Sequence, residues 1–155
     1  MTARQLQQDL IADLAEAFNG KLYRTPSGTD EPVTIAEQNL PKRESEDDDD
    51  PFPYIIVRLS EGQIASQVDA YEVDTILLLG AYDDSPENNG HRIILEMIEK
   101  IQERYEGTPC LAGKYVLKDP VAWALQDEES WPYFFGAMNL TWQVTAPRRK
   151  GSIFT

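Results

Sequence analysis

Residues 71–105 read YEVDTILLLGAYDDSPENNGHRIILEMIEKIQERY, and within them one strand gives way to one helix. Tyr71 to Tyr82 at first alternates apolar and polar side chains, the period of a half-buried strand, then turns wholly apolar at Ile76 to Leu79. The apolar run predicts burial on both faces, with helices on one side and other protein on the other. Asp83-Asp84-Ser85-Pro86 ends the strand, and Asn88-Asn89-Gly90 leads into a helix from about His91 to Tyr105. Ile93, Ile94, Met97, Ile98 and Ile101 mark its buried stripe, and Glu96, Glu99, Lys100, Glu103 and Arg104 its wet one. In the turn, Asp84 or Ser85 is the expected N-cap, with Pro86 in the first turn, Glu87 answering the helix dipole, and Asp83 and Gly90 completing the passage. Glu106-Gly107-Thr108-Pro109 stops the helix, with Gly107 placed as a left-handed cap.

Upstream, Leu6, Leu10, Ile11, Leu14 and Phe18 recur at helical spacing and predict a helix over Ala3 to Phe18, capped by Thr2 and stopped by Asn19-Gly20. Val33 to Ala36 is a candidate short strand. Residues 41–51 form an acidic loop holding Glu44, Glu46, Asp47, Asp48, Asp49 and Asp50, whose like charges favour extended, solvated backbone. Pro51 and Pro53 precede a strand from Tyr54 to Leu59, punctuated by Glu61-Gly62. Downstream, strands are expected at about Tyr115 to Leu117, Val121 to Gln126 and Tyr133 to Thr145. In the last, Phe134, Met138, Leu140, Trp142 and Val144 form the core-facing set, alternating with Phe135, Ala137, Asn139, Thr141 and Gln143. Strands separated by turns, with no βαβ alternation, predict an α+β fold: an antiparallel β-sheet of four or more strands with two α-helices packed on one face. Residues 1–146 make a single domain, and residues 147–155 a basic tail ending in an apolar pair.

The chain has 155 residues, 27 acidic and 14 basic, for a formal net charge of -13. That excess repels nucleic-acid phosphates and argues against a sequence-reading DNA binder. A single cysteine, Cys110, makes no internal disulfide. Met1 leads into an amphipathic pattern with no basic and apolar leader, and no apolar run is long enough to span a bilayer, so a soluble, cytoplasmically made product is expected.

Catalytic chemistry finds little support. His91 is the only histidine, and at a helix start the dipole disfavours its cation, so it reads as a packing or turn residue. Structural zinc lacks its ligands. Asp47 to Asp50 cannot all point at one ion, and Asp83, Asp84 and Glu87 fit a helix start better than a Mg²⁺ or Ca²⁺ site. Gly62, Gly80 and Gly90 are isolated and form no phosphate loop. No enzyme activity, metal or cofactor is expected.

The passage Gly80-Ala81-Tyr82-Asp83-Asp84-Ser85-Pro86-Glu87-Asn88-Asn89-Gly90-His91-Arg92, followed by Ile94-Leu95-Glu96-Met97-Ile98-Glu99, resembles tail-component proteins of siphophages and related prophages. Trp131-Pro132-Tyr133-Phe134-Phe135-Gly136 with Trp142 is similar to their closing strand. The resemblance spans about Tyr54 to Ala146 and implies a tail terminator fold. It also implies a minor tail or tail-completion role: a homo-oligomeric (hexameric) ring that caps the tail tube or joins it to the head, assembled in the host cytoplasm and carried in the virion. Its partners would be copies of itself and other tail or neck proteins, with DNA passing through the channel unbound. The isolated chain is expected to be monomeric, at least at low concentration. The acidic run lies outside the pattern. In a ring its carboxylates would line the channel, or pair with Arg148, Arg149 and Lys150 of a neighbour. Ile153 and Phe154 are candidates for an arm docking on the next subunit, and Trp131 for an exposed contact. Two alternatives stay open, a head–tail adaptor and an acidic DNA-mimic inhibitor. A nuclease ranks third and would need separated acids converging beside a lysine.

Overall fold

A computed structural model describes residues 2–42, 45, 51–64 and 71–144. In chain order the elements are α1 (Ala3–Ala17), β1 (Tyr23–Arg24), β2 (Asp30–Glu31), β3 (Thr34–Glu37), β4 (Tyr54–Ile64), β5 (Tyr71–Tyr82), α2 (His91–Gly107), β6 (Cys110–Leu111), β7 (Tyr115–Leu125) and β8 (Tyr133–Val144). β1 and β2 make a small hairpin. The other six strands form one sheet in the order β3-β4-β5-β8-β7-β6.

The fold is α+β with two helices, as expected, but the sheet is mixed and not wholly antiparallel: β3 runs parallel to β4, with Thr34 opposite Tyr54 and Glu37 opposite Val57. A tight turn after β3 would have reversed the chain. β4 instead starts at the same end of the sheet as β3, as a parallel neighbour requires. The remaining pairs are antiparallel, and β5 and β8 match along their whole length, from Tyr71 opposite Val144 to Tyr82 opposite Tyr133. Where two strands were expected between Tyr115 and Gln126, there is one. Its pairing to β8 shifts between Lys118 and Ala122, an irregularity that takes up Pro120, which has no N–H to donate. β4 likewise continues past Leu59 to Ile64, with a register shift between Leu59 and Glu61.

α1 begins as predicted. Thr2 Oγ1 accepts from the Gln5 amide at 3.1 Å, and Gln5 Oε1 accepts from the Thr2 amide at 3.1 Å, a reciprocal capping box. It ends at Phe18, and Gly20 takes the positive φ of +82° that lets the chain turn away. α2 ends differently from expectation. Gly107 is its last helical residue and does not take a positive φ, and Thr108 caps the helix in an extended conformation.

One face of the sheet carries the main core. Ile55, Val57, Leu77, Leu79, Met138, Leu140 and Trp142 are buried against Leu6, Leu10 and Leu14 of α1 and Ile94, Met97, Ile98 and Ile101 of α2. Both helices therefore lie on that face. α1 touches β3 and β4 at one side of the sheet and β6 at the other, so the sheet curls around it. Two polar ties fix the curl. Gln7 Nε2 donates to the Val57 carbonyl of β4 at 2.8 Å, and the Tyr115 hydroxyl of β7 donates to Asp9 Oδ2 at 3.0 Å. Burial, then the Asp9 hydrogen bond, pushes the Tyr115 hydroxyl up to about 12.

α1 and α2 are joined by a charged cluster. Asp13 accepts from Arg104 through both oxygens, at 2.9 and 2.8 Å, and from the Tyr105 hydroxyl at 2.6 Å. The Arg104 hydrogen bond holds the Asp13 carboxyl below its ordinary value, while burial and Asp13 raise Tyr105. Under these helices Trp142, fully buried, packs edge-on to Tyr105 and donates its indole N–H to Thr75 Oγ1 at 3.1 Å. Thr75 in turn donates to the Leu140 carbonyl at 2.8 Å.

Candidate assembly surfaces

The sheet face turned away from the helices is also apolar toward the Tyr54 end of β4. Tyr54 and Ile56 of β4 have the opposite parity to Ile55 and Val57, so they point there, with Leu78 and Gly80 opposite them on β5. Tyr54 lies across Gly80: a Cβ on Gly80 would come within 2.4 Å of the Tyr54 ring. Phe52 covers the strand ends, with its ring 4.8 Å from Tyr133, 5.0 Å from Tyr54 and 5.9 Å from Phe135, and Tyr82 lies 5.6 Å from Tyr133. Phe52, Tyr54, Ile56 and Ala36 are buried, whereas Leu78, Tyr82, Tyr133 and Phe135 are only partly covered. Burial and then the Asp84 carboxylate raise the Tyr82 hydroxyl above its ordinary value. Toward the Tyr71 end the same face turns polar, with Thr141 donating to Asp74 at 2.6 Å and Lys118 paired with Glu72.

The expectation that Ile76 to Leu79 is buried on both sides holds in part: Leu77 and Leu79 are enclosed by the helices, while Ile76 and Leu78 remain half-covered. Strand alternation alone does not announce the aromatic cluster: it assigns Phe135 to the set facing away from the core. The available signal was that the alternates of the core set at positions 54, 56, 78, 82, 133 and 135 are apolar too.

A second surface is the end of the molecule where two turns meet. Trp131 is 47% exposed, and its indole N–H donates to the Ser85 carbonyl at 3.0 Å. The Asp83 amide donates to the Pro132 carbonyl at 2.9 Å, and Asn88 Nδ2 to Glu129 Oε1 at 2.6 Å. Asp83, Asp84 and Ser85 do not cap α2, contrary to expectation. Asp83 Oδ1 accepts from the Ser85 amide at 3.0 Å and shapes the preceding turn, while Gly90 occupies the N-cap position without a side-chain bond. The reason is steric. The Phe134 ring packs so close that a Cβ at Gly90 would sit 2.3 Å from it, so the helix starts where a glycine allows that contact.

The third surface is the outer edge of β7. β6 covers only its beginning, pairing Cys110 with Val116 and Leu111 with Tyr115. The Gln126 amide donates to the Phe135 carbonyl at 3.0 Å, so in the antiparallel ladder Ala122 and Ala124 share the inward phase. Val121, Trp123 and Leu125 therefore present N–H and C=O groups outward, and among the described residues no strand pairs with them. Trp123 is 48% exposed and Val116 46% exposed on the same strand. Beside the irregularity, a cleft of about 730 Å³ opens between α2 and β7, lined by Ile101, Tyr105, Leu117, Pro120, Val121 and Met138 among others.

Glu44, Glu46, Asp47, Asp48, Asp49 and Asp50 lie outside the described residues, as do Arg148, Arg149, Lys150, Ile153 and Phe154. His91 is exposed at the first position of α2, and Cys110 is exposed on β6. Among the described residues no group of three or more His, Cys, Asp or Glu side chains is arranged to hold a metal ion. No helix among them is long and apolar enough to cross a membrane. Compared with known proteins, the chain matches no protein-family model and is significantly similar to no curated protein.

Proposed function

We propose that this protein is a structural subunit of a tailed bacteriophage, a tail terminator or tail-completion protein that works by forming a ring with copies of itself on the end of the tail tube. The observation that carries the reading is surface one copy leaves uncovered: a half-open aromatic sheet face together with a strand edge bearing outward amides and an exposed Trp123. An isolated soluble domain gains nothing from either, whereas an assembling subunit buries both. The resemblance of residues 80–99 and 131–142 to siphophage tail components supplies the setting. A channel lined by acids would repel passing DNA and let it slide, which suits the net charge of -13.

Electron microscopy of particles made without this protein tests the proposal. Over-long tails, or tails without heads, support it. Normal virions in the absence of the protein overturn it, and full heads lacking only their neck would move the subunit to the head–tail adaptor ring.

A further inference from the structure

We infer that the segment Arg148–Thr155 of one copy docks as an added antiparallel strand on the free edge of β7 in a second copy. The inference rests on the self-assembly part of the proposed function and names the contact that makes it.

Three features of this edge select such an occupant. Outward amides and carbonyls of Val121, Trp123 and Leu125 offer main-chain hydrogen bonds to any extended segment. The strand runs directly into Asp127-Glu128-Glu129, all exposed. Farther along, the edge meets the cleft by Pro120 and Val121, whose lining mixes Ile101, Leu117 and Met138 with Gln102, Glu106 and Asp119. An extended partner therefore meets negative charge first and the apolar side chains of Trp123 and Val121 last.

Residues 148–155 read RRKGSIFT, three adjacent cations followed by a glycine, a serine and an apolar pair. Placed antiparallel with Arg149 opposite Asp127, the segment brings Ile153 opposite Trp123, on the α2 side of the sheet where the cleft opens, and Phe154 opposite Ala122, on the face turned away from the helices. The register thus satisfies charge and apolar requirements together. Arg148, Arg149 and Lys150 are the only run of three cations in a chain of net charge -13, so this contact also offsets the repulsion between copies.

The same register excludes docking within one chain. β8 ends at Val144, opposite Tyr115, at the far end of β7 from the acidic turn. From Val144 back to Gly136, which faces Leu125, is roughly 27 Å along the strand. The residues between Val144 and Arg148 span at most about 14 Å when fully extended. The segment must come from a neighbour, and a tail-to-edge contact uses two different patches, the geometry that closes rings.

The test is association of the full chain, followed by sedimentation velocity across protein concentration and salt. Three variants are compared: Arg148→Glu/Arg149→Glu/Lys150→Glu, Asp127→Lys/Glu128→Lys/Glu129→Lys, and the two sets combined. Each set alone should weaken association at least tenfold, the combination should restore it to within a few-fold, and rising salt should weaken the wild type. Phe154→Asp and Trp123→Pro, which removes the Trp123 indole and an outward amide without breaking a bond to β8, should weaken it as well. Wild-type association that none of these changes alters overturns the docking but leaves self-assembly standing. Failure of the combined set to restore association, or restoration by reversing Asp47 to Asp50 instead, also overturns it. A wild-type chain monomeric at every concentration removes both.

Discussion

Thr75→Val isolates one hydrogen bond at the centre of the core. The substitution keeps the shape of the side chain and replaces its hydroxyl by a methyl. In the native protein that hydroxyl accepts the Trp142 indole N–H and donates to the Leu140 carbonyl, with Thr75 and Trp142 both fully buried. After substitution the indole N–H has no acceptor in a site closed to water, which costs about 1–3 kcal/mol. The added methyl, buried among Val73, Leu77 and Leu140, returns at most about 0.8 kcal/mol. The net loss is therefore roughly 1–2 kcal/mol, which for a chain of this length lowers Tm by about 2–8 °C. Urea denaturation followed by circular dichroism, with calorimetry alongside, measures it. Trp142→Phe removes the donor and leaves a gap under Tyr105, and in the double variant no orphaned N–H remains. The double variant should thus cost about 1 kcal/mol less than the sum of the singles. A Thr75→Val protein as stable as the wild type, or strict additivity, would refute the assignment of this bond as the pin between β5 and β8.

Two further outcomes follow from other contacts. Asp13 has a depressed pKa in the folded state, so its contribution is fully present above the ordinary carboxylate value of 3.8 and is lost as pH falls through the lower folded value; Asp13→Asn should destabilise the protein near neutrality and flatten the loss of stability between pH 5 and the acid limit, and an unchanged pH profile would contradict the Arg104 pairing. Gly80→Val places a Cβ within 2.4 Å of the Tyr54 ring and should evict that ring from the open sheet face, at about 1–3 kcal/mol by urea denaturation, with weaker self-association; unaltered stability would mean that Tyr54 does not lie where the cluster needs it.

What could be read in the sequence was whatever local periodicity and capping chemistry dictate. The stripe Leu6, Leu10, Leu14, the pair Thr2 and Gln5, and the alternation through Leu140, Trp142 and Val144 are short-range patterns, and each appears where expected. Chain direction is not encoded in periodicity, so the parallel placement of β3 was invisible. Gly90 displaced Asp84 and Ser85 as helix start because of Phe134, whose ring arrives from β8. The aromatic cluster draws Phe52, Tyr82 and Tyr133 from three separate segments, and the open edge of β7 exists only because the strand order leaves it almost outermost. Trp131 was the one proposed contact residue that the described part of the chain contains, and it is exposed at a junction of turns.

Sedimentation equilibrium on the purified full chain, carried from dilute solution into the millimolar range where weak contacts fill, bears most directly on whether one copy is incomplete. The mass should climb from 17.6 kDa to the plateau of a closed ring as concentration rises. A mass that stays at 17.6 kDa throughout, with the amides of Val121, Trp123 and Leu125 exchanging freely at the highest concentration, would contradict it.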